Sequence, residues 1–222
     1  MKIYTSPFPA LPYPEESLYT FLFRTRFDDH APTTAAFIDA PTGAAVTRAE
    51  LKDLTLSLAH GLRTEFVRLG GVPLARGDVV LMFSPNCIAL PAVLMASFAA
   101  GLCISLANPT YTPRELLYQW TDSRAKTALV HPVLVPNVLK MFELLDVDLT
   151  EARRKIVVMD WFPGEAQKGP SDFVCMTDLL GKESLKEEEK ISSEQTLDTI
   201  ILCYSSGTTG KPKGVEVDEL GK

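Results

Sequence analysis

The sequence predicts an α/β protein, an open and mostly parallel sheet with helices on both faces. From Asp78 onward, short apolar runs alternate with stretches of helical spacing, the order of elements that a parallel sheet with crossover helices requires. The runs VVLMFS (79–84) and LCISLA (102–107) are apolar almost throughout rather than at every second residue, as strands covered on both faces are. Helix-opening signals stand between such runs. The clearest is Thr112, Pro113 and Glu115, a cap, a first-turn proline and a glutamate three residues beyond the cap.

Ahead of the sheet, PFPALPYP (7–14) reads as an extended strap held to the surface by its aromatics. The rival reading is that its PxxP match, at Pro9 and Pro12, attracts an SH3-like module. Thr47, Arg48, Ala49 and Glu50 form a capping box. Leu51, Leu54, Leu58, Leu62, Phe66 and Leu69 then recur at helical spacing until Gly70 and Gly71 stop the helix. His60 lies inside it with no second ligand nearby in sequence, so it reads as packing.

The alternation that follows is strand (79–84), helix (87–100), strand (102–107), helix from Thr112, strand KTALV (126–130), helix (133–145) and strand (155–159). Residues 164–170 read as a loop, and KESLKEEEK (182–190) as a solvated helix face or a linker. The last strand is TIILCYS (199–205). A chain that stops soon after one strand of a large sheet is expected to leave an unpaired apolar edge there.

Composition narrows the function. At 222 residues and 46% hydrophobic content, the chain can bury one large core or two small ones. A net charge of -6 provides no basic field for a polyanionic backbone, so no nucleic-acid partner is expected. A small anionic ligand is compatible, because a local nest of amides does not need a basic protein. Cys87, Cys103, Cys175 and Cys203 sit in apolar runs without a CxxC pair, which suggests neither a zinc site nor a disulfide framework. The prolines of MKIYTSPFPALPYP interrupt what a secretory signal would need as a continuous apolar helix.

No charged residue occurs between Asp78 and Arg114, and CIALPAVLMASFAAGLCISLA (87–107) is long enough to span a bilayer. Gly101 divides it into a helical half and a strand-like half, and Pro91, Ser97 and Ser105 dilute it. Neither an aromatic belt nor a basic flank marks its ends. The run is therefore expected to be protein core rather than a membrane span.

TIILCYS runs directly into YSSGTTGKPKG (204–214). A Walker loop needs four residues between its first glycine and the GK pair, whereas two separate Gly207 from Gly210, and Pro212 follows Lys211 in place of Ser or Thr. A dinucleotide GxGxxG lacks its first glycine, and no GxSxG elbow fits Ser205 or Ser206. What remains is four hydroxyls (Ser205, Ser206, Thr208, Thr209), backbone amides freed by Gly207, Gly210 and Gly214, and Lys213 on a turn stiffened by Pro212. Such a loop can wrap a polyphosphate with donors while one lysine supplies a mobile positive charge.

SSGTTGKPKG closely resembles the phosphate loop of the adenylate-forming superfamily of acyl-CoA synthetases, peptide synthetase adenylation domains and luciferases. GDVVLMFSPN, ANPTYTPRELLYQWTDSRAKTALV and the N-terminal SPFPALPYPEESLYTFLF are similar to the coumarate-CoA ligase-like branch, so the resemblance covers essentially the whole chain. It implies the N-terminal part of a synthetase large domain, over residues 1–222, ending just after the phosphate loop. It also implies two half-reactions: activation of a carboxylic acid by ATP to an acyl-adenylate, with Mg2+ bridging the phosphates, and transfer of the acyl group to CoA. Ser205, Ser206, Gly207, Thr208, Thr209, Gly210 and Lys213 match the family's phosphate contacts, with Lys213 expected near the β and γ groups. Lys211 falls at a variable position and is not assigned.

The departure lies after the motif, where VEVDELGK (215–222) stands in place of the family's Thr-His and following helix. The family's adenine-contacting segment, magnesium ligand, ribose-binding aspartate and C-terminal lysine have no counterpart here, and neither His30 nor His131 lies in a matching context. No catalytic residue and no metal ligand is assigned. The expectation is a catalytically incomplete portion of an acyl-CoA synthetase. Its rivals are a stable short form that binds nucleotide or associates with a partner, and a membrane-anchored nucleotide sensor using residues 87–107. The expected location is the cytoplasm, with the peroxisome as alternative for a full-length form.

Overall fold

Side chains alternate along the first strand of the sheet and so divide the interior in two. Val80 and Met82 join one buried cluster, whereas Leu81 and Phe83 join another on the opposite face, as the two-residue period of a strand dictates. In the computed structural model, which describes residues 8, 16–24, 30–163, 170, 172–188, 198–205 and 212–218, those residues belong to β3 (Val79–Phe83). The first cluster packs against α2 (Arg48–His60) and α4 (Ala89–Ala99), the second against α5 (Pro113–Ser123) and α6 (Val135–Glu143). Helices therefore cover both faces.

β3 lies centrally in a seven-stranded sheet with β4 (Cys103–Ala107), β5 (Thr127–Val130), β6 (Ile156–Val158), β7 (Val174–Cys175), β8 (Thr199–Ser205) and β9 (Lys213–Asp218). The order is β7-β6-β5-β3-β4-β8-β9. All neighbours are parallel except β8 and β9. β8 is thus no open edge: β9 folds back along it, and charged Lys213, Glu216 and Asp218 occupy the border strand. Both ends of the chain order are shorter or more polar than the centre, as edge strands generally are.

The long apolar run resolves into α4 and β4, and the hinge between them is a Schellman turn. Gly101, at φ 68°, donates to Phe98 O at 2.9 Å, and Leu102 donates to Ser97 O at 2.8 Å. Only glycine adopts that left-handed backbone without cost. Among the described residues no helix is long and apolar enough to cross a membrane. Gly70, at φ 92°, and Gly71 stop the α2 stack in the same way, through bonds to Val67 O and Phe66 O.

The α2 helix opens on the expected capping box at Thr47 but is not uniform. A π turn (Gly61–Glu65) precedes the short α3 (Phe66–Arg68). A Cβ at Gly61 would collide with Leu179 of α8 (Met176–Leu179), so the turn sits where α8 presses closest. His60 is partly buried, with Nε2 3.6 Å from Glu183. Elements the sequence pattern did not disclose are short: α1 (Leu18–Arg24), the antiparallel hairpin β1 (Ala35–Ile38) and β2 (Ala45–Thr47), α7 (Leu149–Arg153), β7, α8 and β9. The charge run beginning at Lys182 is a linker over its described part, not a helix. It lies on α2, where Leu185 donates to Leu56 O at 3.1 Å, and it buries Glu188 against Thr20. The strap at 7–14 lies outside the described residues except for Phe8, which is exposed.

The capping boxes at Thr47 and Thr112 make a pH-dependent contribution. Hydrogen bonds from the Thr112 hydroxyl and backbone N–H hold the Glu115 carboxyl below its usual range, and those from the Thr47 backbone N–H and hydroxyl do the same for Glu50. A carboxyl whose pKa is lower folded than unfolded stabilises the fold above its unfolded pKa and loses that contribution as pH falls through the folded value. Thr112→Ala is expected to cost about 1 kcal/mol at neutral pH. The deficit should shrink as pH falls through and below the usual glutamate range, where the wild-type box protonates as well. Urea denaturation of both proteins across that range measures it; a deficit independent of pH would contradict the assignment.

Candidate functional site

Both described ends of the YSSGTTGKPKG segment are strand residues. Ser205 ends β8 and Lys213 begins β9, and the two are register partners. Both are exposed. Because β8 runs parallel to β4, Ser205 lies at the carboxyl edge of the parallel strands. Ligands of open α/β sheets bind outside the carboxyl ends of the strands; strand order turns at β3, and β8 lies two strands from it, beyond β4. Ser206, Gly207, Thr208, Thr209 and Gly210, with Lys211, lie outside the described residues.

The hairpin stem is flanked by α5. Its N-terminus is fixed by Thr112, which accepts from the Glu115 N–H, by the Glu115 carboxylate, which accepts from the Thr112 N–H at 2.8 Å, and by Pro113. Its C-terminus closes on Arg124 in the left-handed region, at φ 56°. Gln119 binds the helix to β4, donating to Ser105 Oγ at 2.8 Å and to Leu106 O at 3.0 Å. Gln119 and Ser105 are buried, so these bonds are shielded from competing water.

From its outer side α5 reaches β8 and the residue that leads into β9. Tyr118 donates its phenol to Pro212 O at 3.0 Å, and Asp122 accepts from the Tyr204 phenol at 2.6 Å. Tyr118 and Asp122 are four residues apart on one helix, hence on one face. Burial and, after it, the hydrogen bond to Asp122 push the Tyr204 phenol well above its ordinary range, so it stays protonated and donates. Gly214 lies against the same ring: a Cβ there would stand 3.2 Å from Tyr204 Cζ, tighter than ordinary van der Waals contact. A small apolar hollow of about 250 Å³ lies between α5 and the hairpin, walled by Tyr111, Tyr118, Tyr204 and Pro212.

Tyr118 and Asp122 were not found from sequence, Pro212 was read only as stiffening the turn before Lys213, and Tyr204 only as the start of the motif. The sole available signal was the spacing of Tyr118 and Asp122, and nothing in it names a partner so far along the chain. Among the described residues no group of three or more His, Cys, Asp and Glu side chains is placed to hold a metal ion. His131 caps the turn at Pro132–Leu134, its Nδ1 accepting from Val133 N at 3.4 Å, and burial lowers its pKa; it faces Phe162 rather than the hairpin.

Toward the amino ends of the strands, a cleft of about 760 Å³ is lined by Arg76, Cys103, Asp122, Arg124, Asp198 and Glu216. Burial, and secondarily the charge of Glu216, raises the Cys103 thiol to about 12. Cys203 on β8 is exposed. Alkylation follows thiolate content and access, so iodoacetamide should modify Cys203 in the native chain and spare Cys103 until denaturant is added. Peptide mass spectrometry after timed labelling reads this, and equal native rates would contradict the placement of the two thiols.

Comparison with known proteins places the chain. It is 32% identical over 180 residues to 4-coumarate–CoA ligase-like 8 of Arabidopsis thaliana, covering 81% of this chain and 30% of that protein. With peroxisomal OPC-8:0-CoA ligase 1 of the same plant it shares 30% identity over 210 residues, covering 95% and 34%. The solved structure of a long-chain-fatty-acid-CoA ligase from Archaeoglobus fulgidus superimposes with a TM-score of 0.71 at 24% identity, over 97% of this chain and 39% of that one; this likeness is one of fold. The chain spans about a third of the length of the curated relatives it matches. Since residues 23–219 match the AMP-binding enzyme model, the chain belongs to the AMP-binding enzyme family.

Proposed function

We propose that this chain is the N-terminal, phosphate-holding portion of an ATP-dependent acyl-CoA synthetase and that it is catalytically incomplete by itself. The observation that carries the reading is the hairpin stem. The Ser205–Lys213 pair stands at the carboxyl edge of the sheet, with SSGTTGKPKG running between and past its members. The family match and the CoA ligase relatives support it.

In the complete enzyme a carboxylate oxygen attacks the α-phosphorus of ATP, the bond to the leaving pyrophosphate breaks, and an acyl-adenylate forms. The thiolate of CoA then attacks the acyl carbon and AMP departs. The task of this portion is electrostatic. Ser205, Ser206, Thr208 and Thr209 supply hydroxyl donors, Gly207 and Gly210 bring backbone amides close, and Lys213 meets the β and γ phosphates. Such donors act most where negative charge gathers on the leaving group. A bound Mg2+ would add charge neutralisation between the phosphates. The proposed setting is the cytoplasm.

A second reading has one observation in its favour. Val215, on border strand β9, is 51% exposed, and Cys203 and Leu106 on the neighbouring strands are also exposed. An open strand with an apolar residue is a surface for further polypeptide, as a short form working by association would need.

The isolated chain is expected to show no acid-dependent ATP–pyrophosphate exchange, because a phosphate loop alone positions neither carboxylate nor α-phosphate. Joined to the remainder of a coumarate-CoA ligase-like relative, it should form acyl-adenylate with magnesium-ATP. In that chimera Lys213→Ala should slow adenylation about 10²-fold, the usual scale for losing one transition-state electrostatic contact, and Lys211→Ala much less. Equal effects of the two substitutions would refute the phosphate assignment. Exchange by the isolated chain would refute its incompleteness.

A further inference from the structure

The hairpin that carries Ser205 and Lys213 is seated on the sheet along β8, where among the described residues three register pairs join it to β4 and Ile200 and Ile201 pack into the interior, while β9 pairs with β8. To this α5 adds two polar bonds from one helical turn, one to Tyr204 on β8 and one to Pro212, the residue before β9. We propose that Tyr118 and Asp122 are positioning residues that hold the Ser205–Lys213 register pair in one place relative to α5 and the sheet, and so preorganise the hairpin for a polyphosphate; this rests on the phosphate-holding reading.

The points of attachment support the inference. The Tyr118 phenol donates to Pro212 O, so it holds the peptide group that leads directly into Lys213. Tyr204, held by Asp122, is the residue before Ser205. Each bond therefore acts one residue from a proposed phosphate contact. Gly214 is the register partner of Tyr204 and lets that ring lie against the returning strand, which joins the two attachments across the hairpin. The other side of α5 is bound through Gln119 to β4, so the helix transmits the position of the central sheet rather than adding a loose contact. Preorganised groups bind more tightly because less order is lost on binding.

The test uses the 222-residue chain and inorganic tripolyphosphate, with calorimetric Kd, thermal midpoint and amide exchange measured for wild type, Tyr118→Phe, Asp122→Leu and Asp122→Asn. Asp148→Ala, which removes the N-cap of α7, serves as a destabilised control remote from the hairpin. Tyr118→Phe and Asp122→Leu should each weaken tripolyphosphate binding and speed exchange of the Lys213 and Gly214 amides, both by about tenfold, the scale of one lost hydrogen bond. Asp122→Asn, whose amide oxygen can still accept from Tyr204, should retain most of both. Asp148→Ala should lower the thermal midpoint and leave Kd unchanged, whereas a merely structural role for Tyr118 would give it that same pattern. Unchanged Kd and exchange in Tyr118→Phe overturns the inference, even if Asp122→Leu fails to fold. Should wild type bind no tripolyphosphate, the phosphate-holding reading falls, and amide exchange alone still decides whether the pair fixes the hairpin.

Discussion

The pairing of β8 with β4 is the constraint on which the candidate site depends. It joins the hairpin to the parallel sheet through Ile104 and Ile201, Ser105 and Leu202, and Leu106 and Cys203. β4 can offer that edge only because β3 holds its other side through five register pairs. Burial then makes the arrangement stiff. Ile104 and Ser105 are fully buried, and interiors packed to crystal-like density transmit displacement rather than absorb it. The position of Ser205 is in this sense determined by the middle of the sheet.

The second support is polar. Gln119 links α5 to β4 with two hydrogen bonds from its Nε2, while its buried Oε1 has no partner among the described residues, and two such bonds in a low-dielectric interior disfavour sliding of the helix along the strand. Asp160 shows the same device at the end of β6, where its carboxylate accepts from the Thr177 N–H at 3.0 Å and hydroxyl at 2.7 Å. The Gln119 link holds the body of α5 to β4, whereas the Asp160 link ties the end of a strand to the start of α8, and strand ends are where this fold places its chemistry.

Much of the fold was legible because its signals are local. Thr47 with Glu50, and Thr112 with Pro113 and Glu115, open helices through contacts three residues long, and Gly101 stops one through a backbone conformation that belongs to glycine. The illegible parts depend on distant contacts or on shortness. The β1–β2 hairpin slips register between Ala35 and Phe37 and buries little besides Val46, so no clean alternation marks it. Two-residue β7 and four-residue α8 exist through packing on β6 and α2. The π turn at Gly61 answers to Leu179, which sequence does not place beside it. At the site, the motif named its own residues, but the α5 side chains that hold its stem carry no pattern beyond helical spacing.

The Schellman turn at Gly101 settles more than a helix end. It cuts a membrane-length apolar segment into a helix of 11 residues and a strand of five. At 1.5 Å per residue the helix extends roughly 16 Å, about half the hydrocarbon thickness of a bilayer. In the folded chain both pieces contribute to the interior, α4 through Ala92, Val93 and Ala96 and β4 through Ile104, so one glycine conformation turns a single apolar stretch of sequence into a strand of the central sheet and the helix that covers it.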